Sequence, residues 1–493
     1  MNVRGILAHY GDAIAPRRVE QAGGRCKSML PRGLKECALP LGWRTVISDE
    51  ETGKLPPEAE EPDTVCSEEE FQGILAEQMT GLVHLANLVD RHPQARLSRR
   101  FHATLHEEAA DTAELLEDYD AHYNRTFAVL LELVIGLKLL SAAGHVLKTL
   151  QIRSARSWVP GKDDLAASAE EDVRGILEQV DMAERQLLQA VRDESIRICG
   201  ASLATSEPAR SFILQDSLHR KKLPHTATGE EAGDVEGQVA SMASQFVSAL
   251  KTFEERFRGR RVEGVRERWE IYERVCQEQQ ARFLGAKLEN IQSLYDTFVR
   301  NSAVEHKDPH VADFRHAVGM AVLFSRLVTL FIQLLDHFSE DGRKDPGIEK
   351  VRSIVQPDRV LDWLINVALF YTHAILEGGR PLAQELIRKY TTTETVELEL
   401  PEGCVLHARP ASMIAKIVAH HGTPVDMTMG SETCYAGSLM KVILLAGSHL
   451  DDRRVLFRGD RQPIRHIQLL FQHRLGEDGL EGLPEELSYL RQA

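Results

Sequence analysis

The sequence predicts a multidomain fold: a mostly α-helical N-terminal region followed by a C-terminal α+β open-faced β-sandwich of order β-α-β-β-α-β-α. Three observations predict it. At 493 residues the chain is longer than one hydrophobic core usually serves. From about Glu69 to Tyr390 apolar residues recur three and four positions apart, the spacing of a helix face. Beyond that point the period falls to two, the spacing of a half-buried strand.

In chain order, residues 1–70 combine scattered Gly and Pro with the acidic stretch SDEETGKLPPEAEEPDTVCSEEE, which reads as a weakly ordered arm and linker. Residues 71–200 read as a helical domain. Within it Val173, Ile176, Val180, Ala183, Leu187 and Ala190 form a packed helical seam. The polar segment 201–238 reads as a second linker, and 239–390 as a second helical block. There Val360 to Glu377 is expected to stop at Gly378-Gly379, with Pro381 opening a new helix in its first turn.

Residues 391–476 form the α+β domain. Val396, Leu398 and Leu400 alternate with Glu397 and Glu399; Val425, Met427 and Met429 alternate again; Glu432 to Ala436 and Arg454 to Arg458 supply two further strands. Three helices fall between and after them, over Ala408 to His421, Ser438 to Leu445 and Pro463 to Leu475, all covering one sheet face. Residues 477–493 read as a C-terminal tail.

Composition excludes some classes. The formal net charge of −15 repels polyphosphates and acidic leaflets, so neither nucleic-acid binding nor anionic-membrane binding is expected. Seven cysteines without a C-x-x-C or metal-ligand spacing suggest a reducing, cytoplasmic location rather than a disulfide framework. Two apolar stretches, Phe127 to Leu150 and Ala317 to Phe338, each carry one polar stripe: Lys138, Ser141, His145 and Lys148 in the first, Arg326, Thr329, Gln333 and Asp336 in the second. Mid-depth charges are expensive in lipid, so both are expected to be bundle helices without membrane insertion.

The most informative stretch is Cys404 to Gly422, CVLHARPASMIAKIVAHHG. A helix beginning at Ala408 or Arg409 points its unpaired N–H groups at His407. Helix N-termini hold phosphate for this reason. Arg409 adds a forked cation suited to phosphate oxygens, and Pro410 fits the first turn. A neutral imidazole near pH 7 is a usable nucleophile, so His407 is placed to take up a phosphoryl group.

Leu406-His407-Ala408-Arg409-Pro410-Ala411, with Ala436-Gly437-Ser438-Leu439-Met440 downstream, resembles HPr, the histidine-containing phosphocarrier protein of the phosphoenolpyruvate-dependent phosphotransferase system. The resemblance spans Thr393 to Leu475, about a sixth of the chain. It implies an HPr-like domain in which an enzyme I-type donor using phosphoenolpyruvate loads His407 at Nδ1, and a IIA-type acceptor receives the group. Arg409 would stabilise the phosphohistidine. Ser438 would match the serine that an HPr kinase modifies in some bacteria, and Leu439 and Met440 would lie on an apolar partner-docking patch. Val405 departs from the glycine usual before Leu-His. The competing reading is a helical signalling or scaffold protein whose HPr-like domain only binds partners.

No cofactor and no metal ligand are assigned. His102 and His106, with Glu107, Glu108, Asp111 and His122, have spacing compatible with a helical metal site but read more simply as a solvated face. His306, His310, Asp313 and His316 are interrupted by Pro309. Arg256 to Trp269, RFRGRRVEGVRERW, has glutamates interleaved with its arginines and reads as a salt-bridged surface helix. A phosphate-binding glycine loop is missing from the sequence, so the chain is not expected to make its own phosphoryl donor.

Overall fold

A computed structural model describes residues 66–153, 163–200, 203, 235–255, 259–339, 345–450 and 452–491. Of the expected arm over 1–70, residues 1–65 lie outside them, as does most of the 201–238 segment.

The first helices are α1 (Glu68–Gln78), α2 (Thr80–Arg91), α3 (Arg99–Asp118), α4 (Ala128–Arg153) and α5 (Asp163–Cys199). Ser67 starts α1 with a capping box, its side chain accepting from Glu70 N–H while the Glu70 carboxylate accepts from Ser67 N–H. Ser98 caps α3 in the simpler way, accepting from Phe101 N–H. On α5 every residue of the predicted seam from Val173 to Ala190 is buried.

After these come α6 (Val235–Glu254), α7 (Val265–Val275), α8 (Glu278–Leu294), α9 (Ala303–Lys307), α10 (Pro309–Ser339), α11 (Pro346–Ile354), α12 (Pro357–Asp362) and α13 (Phe370–Tyr390). A π-helical segment, Trp363–Leu369, joins α12 to α13. One continuous apolar core runs from Phe71 to Leu386, so both helical blocks pack as a single bundle.

The expected break at Gly378-Gly379 is not there. Helix α13 continues through both glycines and through Pro381. The reason is packing: a Cβ on Gly379 would lie 2.9 Å from the Phe246 ring, so this glycine lets α6 approach closely. Pro381 forfeits one helix hydrogen bond, while burial of Ile375, Leu376, Leu382 and Leu386 on either side holds the helix together.

Three helical stretches, Ala128–Arg153, Pro309–Ser339 and Pro357–Tyr390, are long and apolar enough to cross a membrane, and within the protein 67%, 78% and 67% of their most apolar windows are buried. The two polar stripes behave differently. On α10, Arg326 pairs with Glu289, and Gln333 donates to Glu278 on α8. On α4, Ser141 and Lys148 turn inward and are buried, because α4 is surrounded by α3, α5, α10 and α11.

Beyond α13 the chain enters β1 (Thr393–Glu399), then α14 (Ala408–His421), β2 (Val425–Met429), β3 (Glu432–Tyr435), α15 (Leu439–Ser448), β4 (Arg454–Asp460) and α16 (Arg461–Gln472). The order is the expected β-α-β-β-α-β-α. The sheet is four-stranded and antiparallel, β1-β4-β2-β3, with Val396 and Met427 each paired to Phe457. Val425, Met427, Met429, Val455 and Phe457 face a second, separate core with Ile414, Ile417, Ile464 and Ile467 of the helices.

The segment past 476 belongs to that second core, since Leu483, Leu487 and Leu490 are buried in it. Gly422 ends α14 in the left-handed conformation (φ 69°), favoured by glycine. A Cβ there would lie 2.4 Å from Ser241 Oγ of α6, so this is also where the sheet domain rests against the bundle.

Candidate functional site

Helix α14 starts where the sequence places it, and His407 is its N-cap residue. The backbone N–H of Arg409 donates to His407 Nδ1 at 3.3 Å. The lone pair of Nδ1 therefore points into the helix mouth, and the proton of a neutral ring sits on Nε2. The His407 side chain is 49% exposed, so a partner can reach it. Arg409 is exposed, and its guanidinium makes no ion pair among the described residues.

Glu477 carries no local signal that would have singled it out. Its carboxylate oxygen lies 3.0 Å from His407 Nε2, off the line of the N–H, so it acts on the ring through charge. It favours a proton on Nε2 and hence a bare Nδ1. The backbone leading to it is unusual: Arg474, Leu475 and Gly476 all have positive φ (52°, 57° and 70°). Left-handed non-glycine residues are costly, and burial of Leu475 against the second core secures this turn.

A histidine cluster staples the same segment. The His420 ring stacks on Tyr489 at 3.7 Å, His421 Nε2 lies 3.1 Å from His466 Nδ1, and that Nδ1 lies 2.9 Å from the Tyr489 hydroxyl. Burial first, and then the neighbouring His466 and His420, push His421 down to about 3; burial also lowers His420 and His466. The His421 ring stays neutral when folded but binds a proton when unfolded below about pH 6.5. The unfolded state thus holds more protons between about pH 6.5 and 3, and stability falls as pH drops through that window. We expect the urea midpoint of the C-terminal domain, followed by the Tyr489 resonances, to fall from pH 7.5 to pH 5. Replacing His421 by Gln should flatten that dependence; an unchanged profile in the variant would assign the acid sensitivity elsewhere.

Ser438 occupies the N-cap position of α15, half-buried, but its hydroxyl makes no capping hydrogen bond. Leu439 and Met440 are exposed, and so is Leu444, one turn beyond Met440. Val405, two residues before His407, is 58% exposed, and α15 packs beside α14. An apolar surface thus lies on the helix next to the one His407 caps.

The other sequence candidates separate. His102 is fully buried, which corrects the expectation of a solvated face: α3 turns it toward α5. His106 Nδ1 lies 2.9 Å from the Lys138 carbonyl, and His122 faces Glu132. His306 binds back to the Ser302 carbonyl, while His310 faces Glu385. In the basic stretch, Arg260 pairs with Glu267, Arg266 with Glu270 and Arg268 with Asp362, whereas Arg261 reaches Asp172 and Tyr371. Set against known proteins, the chain matches no family model, no curated protein and no solved structure.

Proposed function

We propose that the C-terminal domain is an HPr-like phosphocarrier that accepts a phosphoryl group on His407 from an enzyme I-type donor and passes it to a IIA-type acceptor. The observation that carries this reading is the bare Nδ1 of His407 at the mouth of α14, with Arg409 uncommitted beside it. The Nδ1 lone pair attacks phosphorus on the donor, and an N–P bond forms as the donor's bond to phosphorus breaks. The amide of Arg409, which now donates to Nδ1, and the guanidinium then face the phosphoryl oxygens. Transfer to the acceptor reverses these steps on a second nucleophile.

The β-α-β-β-α-β-α order and the one-sided sheet support the HPr-like assignment. Leu439, Met440 and Leu444 supply the docking face that donor and acceptor would share. Ser438, with a hydroxyl free of capping duty, suits an HPr kinase, and phosphate there would place charge on the edge of that face. The relay as proposed is cytoplasmic, with no nucleic-acid partner and no membrane insertion, and the helical bundle senses or docks.

Incubating the full chain with phosphoenolpyruvate and an enzyme I tests the proposal. Acid-labile phosphate on the wild type and none on His407→Ala is the expected result. An unlabelled wild type would favour the scaffold reading, in which the domain only binds partners.

A further inference from the structure

A second cluster of chemically able groups lies inside the helical bundle, away from His407. His102 of α3 meets Asp181 and Glu184, which stand three residues apart on one face of α5. His102 and Glu184 are fully buried. The His102 Nδ1 lies 3.0 Å from each Glu184 oxygen, and Nε2 lies 3.4 Å from Asp181 Oδ1. Room for the group comes from α4, where a Cβ on Gly144 would stand 2.5 Å from His102 Nδ1 and 2.8 Å from Glu184 Oε1.

Each residue spends one atom on the protein and keeps one unpartnered. His102 Nδ1–H donates to Glu184 Oε1, and Leu97 N–H donates to Asp181 Oδ2 at 3.4 Å. Among the described residues, His102 Nε2, Asp181 Oδ1 and Glu184 Oε2 have no hydrogen-bond partner. Orphaned buried polar atoms are costly, and a cation drawn in among the three side chains, whether a metal ion or a second ring proton, offsets that cost.

We infer that His102, Asp181 and Glu184 form a binding site for one first-row divalent cation of the Zn²⁺ or Mn²⁺ class. One ligand atom from each of the three groups lies within 4.8 Å of the others. Two ligands held about 2.1 Å from a tetrahedral ion stand about 3.4 Å apart, the separation seen between Nε2 and Asp181 Oδ1. One imidazole and two carboxylates, with no thiolate, suit Zn²⁺ or Mn²⁺ rather than Cu⁺, and there are too few oxygens for Ca²⁺. Two carboxylates balance a divalent charge in a buried place. The Asp181 side chain, 19% exposed, is the most open of the three.

The rival occupant is a second ring proton. Burial resists charging His102, but Glu184 and Asp181 outweigh it and raise the group to about 9. The experiment separates the two. The full chain, stripped with a chelator and titrated with ZnCl₂ or MnCl₂ alone, should take up one equivalent and melt several degrees higher. Glu184→Gln and Asp181→Asn, which keep the side-chain shape, should bind at least tenfold more weakly, while the surface control His306→Gln should match the wild type. No uptake, or equal uptake by wild type and both cluster variants, overturns the site in favour of the proton or of surface histidines. Should circular dichroism show the variants unfolded, electron paramagnetic resonance of the wild type with one equivalent of Mn²⁺ decides: coupling to one imidazole nitrogen is expected, and none refutes the site.

Discussion

Truncating Phe457 to alanine should destabilise the C-terminal domain by about 3–5 kcal/mol, the usual cost of removing a buried aromatic ring. Phe457 is fully buried at the middle of β4, where it pairs with both Val396 and Met427, and its ring meets Phe471 edge-on at 5.7 Å. Among the described residues no other strand touches both β1 and β2. A cavity there loosens the sheet at its centre, and with it the 400–407 connection that delivers His407 to α14. Phe457→Leu keeps most of the volume and should cost about 1 kcal/mol. Urea titration of the full chain, followed by resonances of β4, measures both. Equal, small losses in the two variants would mean that the sheet is held from outside this core.

The second large effect is expected at Glu477. Its carboxylate beside Nε2 biases the His407 proton to that nitrogen, which leaves Nδ1 bare for the phosphoryl uptake proposed above. Glu477→Ala should release the ring to both tautomers and slow phosphoryl uptake about tenfold to a hundredfold, the scale on which histidine-orienting carboxylates act elsewhere. Nitrogen-15 shifts of His407 give a readout that a merely structural role would not move: the share of Nδ1–H tautomer should rise while the Leu487 methyl resonances stay put. Glu477→Gln, which keeps the shape but removes the charge, should behave like the alanine variant. Faster uptake in either variant would make Glu477 a brake and sink the positioning role.

Local patterns were legible in the sequence because they are properties of consecutive residues. The α14 boundaries and the alternation of Val396 and Leu398 each follow from spacing and capping within a few positions. His407 could be found because helix start, nucleophile and cation fall within three residues. Gly378-Gly379 misled for the same reason. The local signal says stop, and only the Phe246 ring packed against Gly379 reveals why glycine stands there.

Glu477 and the His102 cluster were beyond such reading. Glu477 is 70 residues from His407, and Glu184 is 82 residues from His102. Pairs that far apart meet only when a turn or a bundle closes, and no periodicity records which turn or which helix face it will be. By itself the sequence determined the helix and strand periods, the separation into helical and α+β parts, and the histidine at a helix mouth, all set by backbone geometry and nearest neighbours. Tertiary packing alone decided which carboxylate faces each histidine, that the two helical blocks share one core, and that the final segment closes the second core. Those outcomes rest on burial of apolar area between distant segments, and that burial carries the buried polar groups into place with it.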